Sequence, residues 1–118
     1  MEKPLEVKSY VFAIRIVKLH KYLVEEKKEY TLSRQLLKSG TAIGALVREA
    51  KYGQSKADFV SKLSIALKEA NETEYWLMLL HDTGYLSDEE FLSVIADCKE
   101  LLKLLVSIVK TSKESLRK

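Results

Sequence analysis

Apolar residues return every three or four positions along most of this chain, which is the spacing of one face of an α-helix. From about Ser9 to Lys28, Phe12, Ile16, Leu19 and Leu23 recur at intervals of four, three and four. Glu29 and Tyr30 then lead into a second helix, which starts near Thr31 or Ser33, both capping residue types. It runs to about Tyr52, with Gly53 placed as its C-terminal cap. The third helix opens at Ser55, where Ser55-Lys56-Ala57-Asp58 approximates a capping box, and continues to Thr83 before Gly84 offers a left-handed stop. Ser87-Asp88-Glu89-Glu90 is a full S-x-x-E box, and a fourth helix runs from it through Val109 and fades over Lys110 to Lys118. Connections this short predict antiparallel neighbours. The expected fold is therefore all-α, one domain over residues 1–118, an antiparallel up-down-up-down four-helix bundle with helices of about 20 residues, each about 30 Å long.

Two stretches carry more apolar surface than a lone bundle needs. At about 100° per residue, the fourth helix spreads Leu104, Ile108, Leu101, Val94, Leu105, Cys98, Phe91, Val109, Leu102 and Val106 over an arc of about 200°, where a stripe of about 100° suffices. Near the end of the third helix, Tyr75-Trp76-Leu77-Met78-Leu79-Leu80 is apolar in every direction. A helix end buried beneath loops would absorb the second feature. A subunit interface would absorb both, with Tyr75, Trp76, Leu79, Leu104 and Ile108 as its candidates. The second helix contains Ser39-Gly40-Thr41-Ala42-Ile43-Gly44-Ala45, a run of poor helix formers, so packing must compensate. Gly40 and Gly44, four apart, admit a neighbouring backbone at close range, with a kink as the rival reading. A phosphate-binding loop does not fit, because G-x-x-x-G here lacks a following Lys-Ser/Thr pair and a preceding strand.

Composition narrows the picture rather than drawing it. The chain is 118 residues long and 47% hydrophobic, and its one proline and four glycines are too few for the turns of a many-stranded barrel. The net charge of +3 does not by itself demand a nucleic-acid partner, but its distribution is uneven. Residues 61–90 hold two basic and seven acidic residues, so the rest of the chain carries +8. Lys99, Lys103, Lys110, Lys113 and Arg117 fall within about 80° on the fourth helix, and Arg34, Lys38 and Arg48 share a face of the second. Contact with a phosphate backbone is the functional reading of both stripes, and a solvated lysine face is the plain one. Aromatic residues, which would favour single strands, do not interleave with either stripe.

Catalytic chemistry is not written in the chain. The Glu-x-x-His pairs of di-iron bundles are missing, since Val17 and Met78 stand three residues before His20 and His81, so no metal, other cofactor or small-molecule substrate is expected. No G-x-S-x-G context supports a nucleophile. The lone cysteine, Cys98, sits among Val94, Ile95, Leu101 and Leu102 as a small apolar filler. Glu74 projects on the helical wheel between Leu63 and Leu67, which predicts a buried structural carboxylate needing a partner. The N-terminus lacks a signal core and every long apolar run is cut by a charge, so a cytoplasmic protein without membrane contact is expected.

The middle of the chain carries a family resemblance. The residues are Leu36-Leu37-Lys38-Ser39-Gly40-Thr41-Ala42-Ile43-Gly44-Ala45, Arg48-Glu49-Ala50, Lys56-Ala57-Asp58-Phe59 and the run from Leu63 to Leu77. They resemble the bacterial four-helix bundle proteins related to those encoded by intervening sequences in large-subunit ribosomal RNA genes, over about residues 8 to 110. Glu49, Asp58, Phe59 and Glu74 match the family pattern, whereas Gly44 and Leu46 stand where many relatives have Pro and Asn. The resemblance implies a homopentamer without enzymatic activity. It is also similar to the accessory variability determinant of diversity-generating retroelements, which implies RNA, DNA or a reverse-transcriptase-like protein as partner. A purely structural or protein-partner scaffold using the acidic stretch from Glu69 to Glu90 is the other expectation.

Overall fold

Leu5 continues the apolar face of Phe12 and Ile16 two turns further back, and Pro4 lacks an N–H that the first turn of a helix would leave unbonded in any case. The first helix accordingly begins six residues before Ser9. The computed structural model describes residues 3–117, and its helices are α1 (Lys3–Glu25), α2 (Leu32–Lys51), α3 (Lys56–Asp82) and α4 (Asp88–Leu116), with no strand among the described residues. They pack as an all-α bundle of 50 × 21 × 21 Å. The last helix runs two turns past Val109 as exposed polar helix.

The turns obey the sequence at Ser55, whose Oγ accepts the N–H of Asp58 at 3.0 Å, and in two further places, and depart from it in two. Ser87 Oγ accepts the N–H of Glu90 at 3.1 Å while Glu90 Oε1 accepts the N–H of Ser87 at 2.8 Å, the reciprocal box expected there. Gly84, at φ 88°, ends α3, with the N–H of Tyr85 donating to the carbonyl of Leu80 at 2.9 Å, a Schellman turn. Neither Thr31 nor Ser33 caps α2 with its side chain. Glu29 does it from upstream, its carboxylate accepting the N–H groups of Ser33, Leu32 and Thr31 at 2.7, 3.0 and 3.2 Å. Gly53 follows α2 without a left-handed conformation, whereas Lys28 takes up φ 55° in the preceding turn.

Consecutive helices pack side by side, α1 also meets α4 more sparsely, and α1 and α3 stand at diagonal corners, their backbones not adjacent among the described residues. The core is aliphatic, with Leu5, Ile16, Leu23, Leu36, Ile43, Leu63, Leu77, Leu80 and Leu105 all at 0% exposure. One polar pair crosses it: the Thr73 hydroxyl lies 3.0 Å from Ser39 Oγ and 2.8 Å from the carbonyl of Glu69, so neither buried group is orphaned. The small residues of α2 do bring a neighbour close. A Cβ on Gly40 would lie 2.8 Å from Ile16 Cγ1, and one on Gly44 would lie 3.1 Å from the carbonyl oxygen of Ser9.

Two expectations need correction. The wide apolar arc of α4 is largely consumed inside the bundle. Val94, Cys98, Leu101, Leu105 and Val109 are buried, and Phe91, Leu102, Leu104 and Ile108 pack against the core, leaving Val106 exposed. Glu74 is only half-buried and makes no ion pair or hydrogen bond among the described residues. The reason is that α3 buries Val60, Leu63, Ala66, Ala70, Thr73, Leu77 and Leu80, a repeat shorter than 3.6 residues. That stripe precesses around the helix, and by the level of Glu74 it has turned past the carboxylate to Thr73. Among the described residues the buried carboxylate is Glu29, at 8% exposure.

Candidate functional site

The outer face of α4 carries a line of cations that form no ion pair among the described residues. Lys99, Lys103, Lys110, Lys113 and Arg117 are all exposed, and among the described residues none pairs with a carboxylate. Val106 stands in the middle of the line, 52% exposed. Lys56 Nζ donates to Ser115 Oγ, which draws the start of α3 against the end of α4 and adds a sixth cation there. On α2, Arg34, Lys38 and Arg48 are likewise exposed and unpaired. The cations that are engaged lie elsewhere: Lys8 with Glu100 at 2.8 Å, Arg15 with Asp97 at 2.7 Å, Lys51 with Glu6 and Lys62 with Glu49, both at 3.2 Å.

The interface candidates divide by exposure. Tyr75 is 58% exposed and stands edge-on to Trp76, with ring centroids 5.0 Å apart; Met78 beside it is 48% exposed. Trp76 and Leu79 are half-buried, the indole N–H donating to Glu72 Oε1 at 3.2 Å. Leu104 and Ile108 pack against the core and present less.

A second apolar surface lies on the outward side of α1. Val7, Tyr10, Val11, Ile14 and Val17 are between 38% and 61% exposed and form a continuous stripe on the side of α1 opposite its buried face. The signal was in the sequence, since residues 7, 10, 11, 14 and 17 repeat with helical spacing beside the core set of residues 12, 16 and 23. The stripe borders a groove of about 820 Å³ between α1 and α2, floored by Gly44, Ala45 and Val47 and edged by Tyr10, Arg48, Lys51 and Tyr52.

Three titratable groups stand out elsewhere. Burial works to raise the Glu29 carboxyl, but the amides of Leu32, Ser33 and Thr31 and the Ser33 side chain together hold it below its ordinary value. His81 bridges the α3–α4 turn, Nε2 at 2.6 Å from Asp88 and Nδ1 at 2.9 Å from Asp82, and these hydrogen bonds raise its pKa. Cys98, at 0% exposure, is pushed up to about 12 by burial and by the charge of Glu74, so its thiol is not a nucleophile. Among the described residues no three His, Cys, Asp or Glu side chains gather as a metal site, and no helix is long and apolar enough to cross a membrane.

Residues 5–107 match the family model of the 23S rRNA-intervening sequence protein. A crystal structure of a protein of unknown function from the S23 ribosomal protein family of Bacteroides thetaiotaomicron superposes with a TM-score of 0.89 at 57% identity, covering 90% of this chain and 98% of that one. No protein of curated function matches the chain.

Proposed function

The chain belongs to the 23S rRNA-intervening sequence protein family, and from that premise we propose that it is a non-enzymatic, cytoplasmic helical-bundle module. It assembles as a closed homo-oligomer, a homopentamer, of antiparallel bundles, and binds RNA, DNA or a nucleic-acid enzyme of the reverse-transcriptase kind through basic faces. The observation that carries this reading is the unpaired line Lys99, Lys103, Lys110, Lys113 and Arg117 on the outside of α4. An antiparallel path would bring Arg48, Lys56, Lys113 and Arg117 to one end of the bundle and Asp82, Asp88, Glu89 and Glu90 to the other. Repetition around a symmetry axis multiplies such a modest stripe into a large positive surface.

Phosphate contacts release counterions, so log affinity falls with log salt by about 0.7 for each single-strand phosphate neutralised. Labelled RNA and DNA are titrated at low and physiological salt against the wild type and against a variant with Lys99, Lys103, Lys110 and Lys113 changed to Glu. The proposal expects a steep salt slope that the variant flattens. Absence of binding at low salt, or binding indifferent to the four substitutions, would leave a protein-partner scaffold as the function. The acidic surface between Glu69 and Glu90 and the exposed stripe of α1 favour that second reading.

A further inference from the structure

The outward side of α1 has the character of a helix that is meant to be covered twice. Leu5, Phe12, Ile16 and Leu23 face the core at 2% exposure or less, while Val7, Tyr10, Val11, Ile14 and Val17 span about 120° of the opposite side, each left 38–61% exposed. With the α1–α2 groove alongside, these residues make one continuous apolar patch rimmed by polar residues, the kind that marks an interaction site. We infer that this stripe and groove form a socket for the outer face of α3, carrying Tyr75 and Met78, from a second copy of the chain, the copies joining head to tail. The inference rests on the assembly proposed above and names the two surfaces that make it.

Charge selects the occupant. The free charges bordering the stripe are Lys3, Lys18 and Lys21 on α1 and Arg48 on α2. The acids nearest it are already engaged, Glu6 with Lys51, Glu100 with Lys8 and Asp97 with Arg15; Glu25 lies at the far end of the helix. A symmetric contact of two α1 stripes running in opposite directions would set Lys3 of each copy against Lys18 and Lys21 of the other, which repels. The face that fits must be apolar and bordered by acid. On α3, Tyr75, Met78 and half-buried Leu79 are bordered by Glu72 and Glu74, with Lys68 the lone cation on that face, two turns away, and Asp82 engaged by His81. Tyrosine is also the side chain best suited to a groove whose floor is a glycine, since it buries a large area at little rotamer cost.

Topology makes the contact intermolecular. Because α1 and α3 occupy diagonal corners, a chain cannot seat its own α3 face in its own socket. Each copy therefore carries one free socket and one free ridge, the requirement for a heterologous contact that propagates and closes into a ring when the rotation allows.

The test breaks each half separately and then recombines them. Val11→Glu places an acid in the socket, and Tyr75→Lys places a base on the ridge. Both sites are more than half exposed, at 56% and 58%, so the fold is expected to survive, which circular dichroism checks; Val7→Glu and Met78→Lys replace any variant that unfolds. In light scattering at micromolar concentration each variant alone should fall to the mass of one chain, and the equimolar mixture should rise to at least two chains, since it offers one intact socket with one intact ridge and sets the new acid against the new base in the other contact. If Tyr75→Lys stays assembled, or the mixture stays at one chain, the head-to-tail contact is wrong while assembly stands. A wild type that itself scatters as one chain overturns the assembly reading and this inference with it.

Discussion

Helix α1 meets its two neighbours in opposite ways. Beneath the groove it is close and dry against α2: Gly40 and Gly44 have no side chain, and a single added carbon would stand 2.8 Å from Ile16, buried at 0%, or 3.1 Å from the Ser9 carbonyl. Against α4 the backbones stay apart and long side chains reach across, Lys8 to Glu100 at 2.8 Å and Arg15 to Asp97 at 2.7 Å, all of them between 37% and 52% exposed. The contrast teaches that one seam fixes geometry by the removal of atoms, whereas the other tolerates adjustment because flexible charged arms define it. Dispersion and burial act in the first, and screened Coulomb attraction in the second.

The sharpest way to break the dry seam is Gly40→Val. Ile16 is buried at 0% and has no room to yield, so overpacking should cost about 3 kcal/mol, outweighing the gain in helix propensity. A urea midpoint no lower than that of the wild type would mean that the seam is not the rigid element described here.

The turn that joins α1 to α2 comes next. Glu29→Ala leaves the N–H groups of Thr31, Leu32 and Ser33 without their acceptor and should cost about 1–2 kcal/mol in chemical denaturation. The folded pKa of Glu29 lies below its unfolded value of 4.5, so its contribution is fully present above about pH 4.5 and is lost as pH falls through the folded pKa. The difference between wild type and Glu29→Ala should thus shrink on acidification below pH 4.5; a difference that is constant down to pH 3 would assign the loss to packing instead.

The smallest effect belongs to the wet seam. Arg15→Ala removes the bond to Asp97 and the contacts with Ser93, yet both ends are exposed, and the cost should stay below about 1 kcal/mol and fade in 1 M salt. A loss as large as that of Gly40→Val, insensitive to salt, would erase the distinction between the seams.

Most of the bundle was legible because helix existence and end signals are local. Ser87 to Glu90 and Gly84 act within one turn of chain, and both do what their residue types predict. What was not legible depended on drift and on distance. Glu74 was misplaced because a fixed 100° wheel, extended over four turns, ignores the precession of a stripe spaced by threes and fours. Glu29 escaped notice because glutamate is not among the common cap types and reaches α2 from outside the helix. The second stripe of α1 was hidden by the first, since an alternation of two apolar faces reads as one hydrophobic helix until packing shows which face is taken. The cationic line on α4 was legible as geometry, because exposed lysines keep the angles their spacing gives them.

Cys98 makes the molecule report on its own breathing. Its thiol is fully enclosed, donates to the carbonyl of Ala70 at 3.5 Å and has a pKa near 12, so almost no thiolate exists in the closed state at neutral pH. An alkylating reagent can then reach the sulfur only during an opening that parts α4 from α3, and the single cysteine removes any ambiguity about which residue was hit. The labelling rate divided by that of an unstructured thiol gives the fraction of time the helices are apart, whether or not a partner is bound. Any nucleic acid or neighbouring subunit that closes over the bundle will register as a slower clock at one sulfur atom.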